Sequence, residues 1–269
     1  MRSAQRVWGL VFRHLAIYRR SWPRLVEITY WPTLELLIWG FTANFFAHTH
    51  PHSGAASGVL AGGALIAGVL LWEIVLRAQI GVAFAFLEEI WSRNLGHLFV
   101  SPLRPAEMLA AQLCVSLMRT VIGLIPATVL AYALYHFNVF AIGPVLLLFF
   151  ANLLFMGWWI ALAIVSLLFR YGAGAEALAW TVAFGITPVA CVFYPVSSLP
   201  AWLQPVALAL PAAHIFEGMR AALLGQQIDW HNLLMACGLN FAWMMLAIAI
   251  FSGEFRAARI RGALISIGE

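Results

Sequence analysis

Phe86-Leu87-Glu88-Glu89-Ile90-Trp91-Ser92-Arg93-Asn94-Leu95-Gly96-His97-Leu98-Phe99-Val100-Ser101-Pro102-Leu103-Arg104-Pro105 separates two long apolar stretches, and its reading decides the fold. Phe84, Leu87, Trp91, Leu95 and Leu98 recur at spacings of three and four, so they share one helical face, while Glu88, Glu89, Ser92, Arg93 and His97 take the other. The pattern predicts a short amphipathic helix of about four turns, held out of the bilayer and ended at Ser101-Pro102. Pro102 and Pro105 keep it from merging with the next hydrophobic segment. Two readings fit such a helix: it is presented to a partner, or it rests on lipid.

The chain on either side is that of a membrane protein. Hydrophobic residues make up 63% of the 269 residues, charged residues only 10%, and the mean hydropathy is +0.90. A soluble domain carries about 25% charged residues. Six segments have the roughly twenty apolar residues that cross a hydrocarbon core: residues 28–46, 59–76, 108–135, 144–169, 177–194 and 233–251. The third and fourth are long enough to tilt or project, and Pro126 is placed to kink the third. The organisation predicted is an N-terminal interfacial segment (1–27), a six-span domain (28–252) and a short tail (253–269).

Every one of the fifteen basic residues is an arginine, and their distribution sets the orientation. Thirteen fall on one predicted side, against Arg220 alone on the other and Arg119 within a span. Both termini and the Glu88/Glu89 helix are therefore expected in the cytoplasm. The pI near 9.3 reflects this topology, and no nucleic-acid partner is expected. At the N-terminus, Arg2, Arg6, Arg13 and Arg20 lie within about 40° of one another on a helical wheel, opposite Val7, Trp8, Val11, Leu15 and Tyr18. That is a basic amphipathic helix, read as lying along anionic lipid of the inner leaflet. It lacks the uninterrupted apolar region of a signal peptide.

Several chemistries are excluded. Without lysine the chain has no GxxxxGK[ST] phosphate loop, so any ATP it depends on is bound elsewhere. No GxSxG or HExxH motif and no glycine-rich nucleotide fingerprint is present, and Asp229 is the only aspartate. Cys114, Cys191 and Cys237 fall in apolar segments and read as small core residues. His48, His50 and His52 alternate in the first external loop as zinc or copper ligands can, but Pro51, Gly54 and Ser57 mark an ordinary polar turn there. Glu35, Glu73 and Arg119 lie in or at the edge of spans, where ionisable groups face a partner or a water path. Glu73 and Arg77, four apart, are placed to pair.

Beyond the fifth span, Phe193-Tyr194-Pro195-Val196-Ser197-Ser198-Leu199-Pro200-Ala201-Trp202-Leu203-Gln204-Pro205 leads through Pro211 to His214-Ile215-Phe216-Glu217-Gly218-Met219-Arg220. The stretch is apolar enough to enter the membrane, yet prolines divide it and Glu217 and Arg220 charge it. A pair of short re-entrant helices on the outer side is the reading that satisfies its backbone. A seventh span would put the C-terminal arginines outside.

Two motifs now carry a resemblance across nearly the whole chain. The acidic pair followed by Ser101-Pro102-Leu103, and the Tyr194-Pro195-Val196, Leu199-Pro200 and Glu217-x-x-Arg220 pattern, lie on opposite sides of a six-span layout that resembles the ABC-2 type transporter permeases. The resemblance implies an all-helical permease with a cytoplasmic coupling helix between spans two and three and an outer hairpin between spans five and six. It implies two permeases, as a homodimer, assembled with two separate ATPase subunits that hold ATP and Mg, and no cofactor in this chain. Glu88, Glu89, Arg93, Ser101 and Pro102 would couple to the ATPase; Glu35, Glu73, Tyr194, Pro195, Glu217 and Arg220 would line the path or outer gate. The overall length is similar to the branch that exports polysaccharides, lipo-oligosaccharides or lipid-linked glycans from the bacterial inner membrane, a layout that drug exporters of the family share. The rival classes are a secondary transporter or channel with no ATPase, for which no internal repeat is visible, and a metalloenzyme built on the external histidines.

Overall fold

In hydrocarbon each backbone polar group must find a partner within the chain, and this sequence answers with helices throughout. The computed structural model describes residues 2–49, 55–92 and 104–261. Its elements are α1 (Arg2–Arg20), α2 (Trp22–Thr49), α3 (Ala55–Trp91), α4 (Pro105–Tyr135), α5 (Val145–Tyr171), α6 (Glu176–Ile186), α7 (Gln204–Leu208), α8 (Pro211–Leu223) and α9 (Trp230–Ile260), with 3-10 turns at Val139–Ile142, Gly172–Ala175 and Val196–Ser198. Among the described residues there is no strand.

Helix α3 is the axis of the bundle, packed by α2, α4, α5, α6 and α8. Small residues let its neighbours close in. A Cβ at Gly157 of α5 would stand 2.6 Å from the Ala78 Cβ and 2.7 Å from the Val75 carbonyl oxygen. Ser116 of α4 donates to the Ala78 carbonyl at 2.9 Å. On the far side of α5, Asn240 of α9 donates to Asn152 at 3.0 Å and accepts from the Trp159 indole at 3.1 Å. The main core runs through α3, α5 and α9 and includes Phe86, Leu153, Phe169, Phe216 and Phe251. A second, smaller cluster of Val11, Tyr18, Ile28, Ala111 and Val115 fixes α1 along α4.

Among the described residues four helices are long and apolar enough to cross a membrane: Gly62–Trp91, Pro105–Tyr135, Val145–Tyr171 and Trp230–Ile260. Helix α2, which carries predicted span 28–46, has the length but not the apolar density. Thr29, Thr33, Glu35, Thr42 and Asn44 interrupt it, and the three threonine hydroxyls satisfy themselves on carbonyls of the preceding turn. Helix α4 runs unbroken past Pro126.

Two expectations are corrected. The amphipathic helix predicted over residues 86–98 is not a separate element at its start. Phe86 to Trp91 form the last turns of α3, which continues from the second predicted span for 37 residues, about 55 Å. No proline or glycine stands between Leu76 and Glu88 except Gly81, which packs against Ser116 and leaves the helix intact. The rest of that prediction, residues 93–103, lies outside the described residues. Secondly, predicted span 177–194 is not one helix. Helix α6 ends at Ile186 after 11 residues, about 16 Å, and Thr187-Pro188 turns the chain. The segment nevertheless keeps descending along α3: Trp180 meets Phe84, Gln79 donates to the Ala179 carbonyl at 2.8 Å, and Val192 touches the face of Gly68. Phe193 then stacks on Trp39 of α2.

Candidate functional site

The titratable residues gather at three levels along the bundle. At one end, arginines of α1 and α2 meet carboxylates of α3 and α4. Glu107, in the first turn of α4, accepts from Arg6 at 2.6 Å, from the Ser3 hydroxyl at 2.7 Å and from the Arg104 backbone at 3.0 Å. Glu89 accepts from Arg13 at 2.8 Å and Glu88 from Arg24 at 3.0 Å. The pairs are unequal. The Glu89 side chain is 3% exposed, that of Glu88 32%, although their arginines are similarly accessible at 40% and 39%. The same end holds Arg170 and Arg261, both on Glu254.

This overturns the predicted facing of two elements. Glu89 does not project from a polar face: with Phe86, Leu87 and Ile90 it is buried, whereas Trp91, expected on the apolar side, is exposed. Nor does the whole basic stripe of α1 turn to lipid, because Arg6 and Arg13 are committed to carboxylates. The apolar stripe divides as well. Val7, Val11, Leu15 and Tyr18 pack on the protein, and Trp8 is exposed. The sequence reading missed Glu107. Its signal was present: it stands three residues after Arg104 with Pro105 at the first helical position, where a carboxylate satisfies backbone N–H groups.

At mid-bundle Glu73 is fully buried and accepts from Arg77 at 2.9 Å, one turn along the same helix. Its second oxygen has no hydrogen-bond donor, and the half-buried Glu35 of α2 lies beside it. The structure thus brings Glu35 and Glu73 together, about 22 Å along α3 from Glu88.

The other end is divided by prolines. After Pro195 and the turn Val196–Ser198, the short helix α7 packs on that turn and on α8, and α8 folds against α9. Glu217 accepts from the Val196 backbone at 2.8 Å and pairs with Arg220 at 3.3 Å, while Arg220 donates to the Cys191 carbonyl at 3.1 Å. Cys191 has the left-handed φ of 56° that this turn requires. Tyr194 donates to the Pro188 carbonyl. Glu217 and Arg220 are thus paired with each other. His214 of α8 contacts Asn232 at 2.7 Å and the Leu208 carbonyl at 3.0 Å, and Trp243 donates to the Ala209 carbonyl at 2.9 Å. Asp229 caps α9 by accepting from the backbone of Asn232 at 3.1 Å; that bond, with the Asn232 amide, holds its carboxyl below the usual range.

Two cavities flank α5. One of about 360 Å³ lies between α3, α4 and α5 against Leu70, Ile74, Leu124, Val129 and Phe150; the other, about 490 Å³, lies between α5 and α9 against Phe155, Phe241, Met244 and the Asn152–Asn240 pair. Their linings are chiefly apolar. Arg93, Ser101 and Pro102 lie outside the described residues, as do His50 and His52, and the side chain of His48 is not described. Among the described residues no three His, Cys, Asp or Glu side chains converge as a metal ion would require.

Helices of bilayer length, ion-paired at one end and broken by prolines at the other, define a multi-pass membrane protein. The profile of the ABC-2 type transporter family matches residues 6–224, and the chain belongs to that family. No curated protein sequence matches the chain. Permeases of this family typically work with an ABC ATPase and are not themselves catalytic.

Proposed function

We propose that this chain is the permease subunit of an ATP-driven exporter of the bacterial inner membrane, paired with a second copy and energised by two separate ATPase chains. The observation that carries the reading is the ion-paired end of α3. Glu88 and Glu89 tie the last turns of that helix to α2 and α1, so a displacement delivered at Ser92 is passed to two further helices at once. The adjoining residues Arg93, Ser101 and Pro102 are proposed, on sequence alone, as the ATPase contact. This end is cytoplasmic by the arginine distribution, and so are both termini.

Six crossings are supported by two features. Helix α2 has the length of a span, and the segment from Trp180 to Val192 follows α3 from Phe84 to Gly68, about 24 Å, although only its first part is helical. The hairpin α7–α8 then lies on the outer side, with Tyr194, Pro195, Glu217 and Arg220 as the outer gate and Glu35 and Glu73 as polar groups of the path. A single copy offers apolar cavities too small for a glycan chain, which supports a path between two permeases. The solute class is a glycan, lipid-linked or other amphipathic molecule, as in the polysaccharide and lipo-oligosaccharide branch that the sequence resembles.

The test is assembly and topology together. Purified from its native membrane, the chain should carry an ATP-hydrolysing partner that has a phosphate loop. Single cysteines at Ser3, Ser92 and Ser266 should be shielded from an impermeant external thiol reagent, while Ser53 and Ser197 should label. Labelling at Ser266 in intact cells would sink the six-crossing reading, and a purified, transport-competent chain with no ATPase would sink the exporter reading.

A further inference from the structure

Arg119 is a cation inside an apolar helix, and the protein does not neutralise it. It is the fifteenth residue of α4, about 24 Å from Tyr135 at the helix end. Among the described residues it makes no hydrogen bond and no ion pair, and its Nη1 is buried without a partner. Its one close companion is Tyr18 of α1, whose ring centre lies 5.4 Å from the guanidinium carbon. That contact engages the face of the guanidinium and leaves its N–H groups unanswered.

Tyr18 has the same deficiency. It is only 8% exposed, and its hydroxyl is buried with no hydrogen-bond partner. Burial pushes the phenol up, against the opposing charge of Arg119, so the hydroxyl remains a donor. Two unsatisfied donors therefore sit side by side where the α1–α2 corner closes on α4. Each carries the desolvation cost of a buried donor with no hydrogen bond in return. Among the described residues no acceptor is supplied: Glu88 faces this corner but is taken by Arg24, and the exposed Glu27 makes no ion pair with Arg119.

We infer that Arg119 and Tyr18 form a binding site for the phosphate of an anionic phospholipid, held against the α1–α2 corner of the bundle. A lipid is favoured over an aqueous anion by what surrounds the site. Beyond Arg119, α4 exposes Val121, Ile122 and Ile125, and the corner exposes Trp22, Leu25 and Val26, so the approach is apolar. The net charge of the corner favours an anionic headgroup: Arg19 and Arg20 are exposed at the end of α1 and make no ion pair among the described residues, and with Arg119 they outweigh Glu27. The depth agrees. At about 24 Å from the far end of α4, Arg119 lies near the edge of a hydrocarbon core about 30 Å thick, where a headgroup is within reach of its side chain. The orientation proposed above enters only in naming the cytoplasmic leaflet as the source.

The experiment titrates delipidated protein in detergent with phosphatidylglycerol, phosphatidylcholine or inorganic phosphate, and follows bound lipid by native mass spectrometry and the unfolding midpoint. One phosphatidylglycerol should bind well above the rest and raise the midpoint, and phosphatidylcholine should bind about tenfold more weakly or worse. Arg119→Gln should remove that preference. Tyr18→Phe, which keeps the ring and the packing, should weaken the same lipid about three- to tenfold. Equal binding of both lipids, or unchanged phosphatidylglycerol affinity in Tyr18→Phe, overturns the assignment whether or not Arg119→Gln folds. Stabilisation by inorganic phosphate alone would show an aqueous anion site and overturn the lipid. None of these readings depends on ATPase partnership or transport, so they stand apart from the test of the exporter reading.

Discussion

Replacing Arg13 by Gln should harm this protein more than replacing Arg24 by Gln, although each arginine makes one ion pair with one member of the same acidic dipeptide. The difference lies in the carboxylates. Glu88 is one-third exposed, so water takes over when Arg24 is removed, and the cost is about 0–1 kcal/mol, as for surface pairs generally. Glu89 is buried, as are Phe86, Leu87 and Ile90 beside it along the helix. Removing one partner of a fully buried pair costs about 3–5 kcal/mol. Arg13 is itself two-fifths exposed, which brings water to the edge of the pair, and the expected loss is about 1–3 kcal/mol. The double variant Arg13→Gln/Glu89→Gln should regain part of it, because the buried charge is removed together with its arginine. The assay is the unfolding midpoint in one fixed detergent, alongside the ATP turnover of the assembled complex, which should fall in the same order. Equal effects of the two arginine changes, or a double variant no better than Arg13→Gln, would refute the burial argument.

Three further outcomes follow from other contacts. Gly157→Ala should separate α3 from α5 and cost about 1–3 kcal/mol, because its Cβ would meet Ala78 and Val75, whereas Gly9→Ala on the open face of α1 should be neutral or stabilising by up to about 1 kcal/mol; the same midpoint measurement separates them. At the hairpin, Glu217→Ala and Arg220→Ala should each lower yield or transport, with the double variant recovering a part; additive losses would count against the pair. Asp229→Ala should cost about 1 kcal/mol through the lost cap of α9. Because its carboxyl is held below the usual range in the folded protein, that contribution is present above the ordinary carboxylate range and is lost as pH falls through the depressed value. A wild-type advantage that persisted unchanged into strong acid would disprove the assignment.

Periodicity and composition disclosed the helices and which of them are apolar, since those depend on local spacing. The proline-divided hairpin was legible for the same reason: Pro200, Pro205 and Pro211 act on the chain where they stand. What the sequence misassigned is whatever neighbours decide. Wheel geometry put Glu88 and Glu89 together on a solvent face, but α1 and α2 lie across that face, and an arginine of each turns it into an interior seam. The fifth predicted span is apolar along its whole length, yet Pro188 and the left-handed Cys191 end the helix that hydropathy alone would extend. Glu35 beside Glu73 required the packing of α2 on α3, which no spacing within either helix reveals.

The seam at the charged end has a construction that differs from the rest of the bundle. Phe86, Leu87 and Ile90 anchor the end of α3 in the same core as α5 and α9, so that helix is held rigidly up to its last turn. Helix α1 belongs to the separate cluster around Val11 and Tyr18, and what joins it to α3 is the ion pair on Glu89. Apolar packing is lost steeply when surfaces part, whereas a partly wetted arginine can follow its carboxylate on a long flexible stem. A force arriving at Ser92 would therefore move α3 together with α5 and α9, and would draw α1 and the start of α2 after it through the arginines held by Glu89 and Glu88. The α1–α2 corner, where Arg119 and Tyr18 are left unsatisfied, is then the place where lipid meets the part of the permease that follows through ion pairs instead of through the main core.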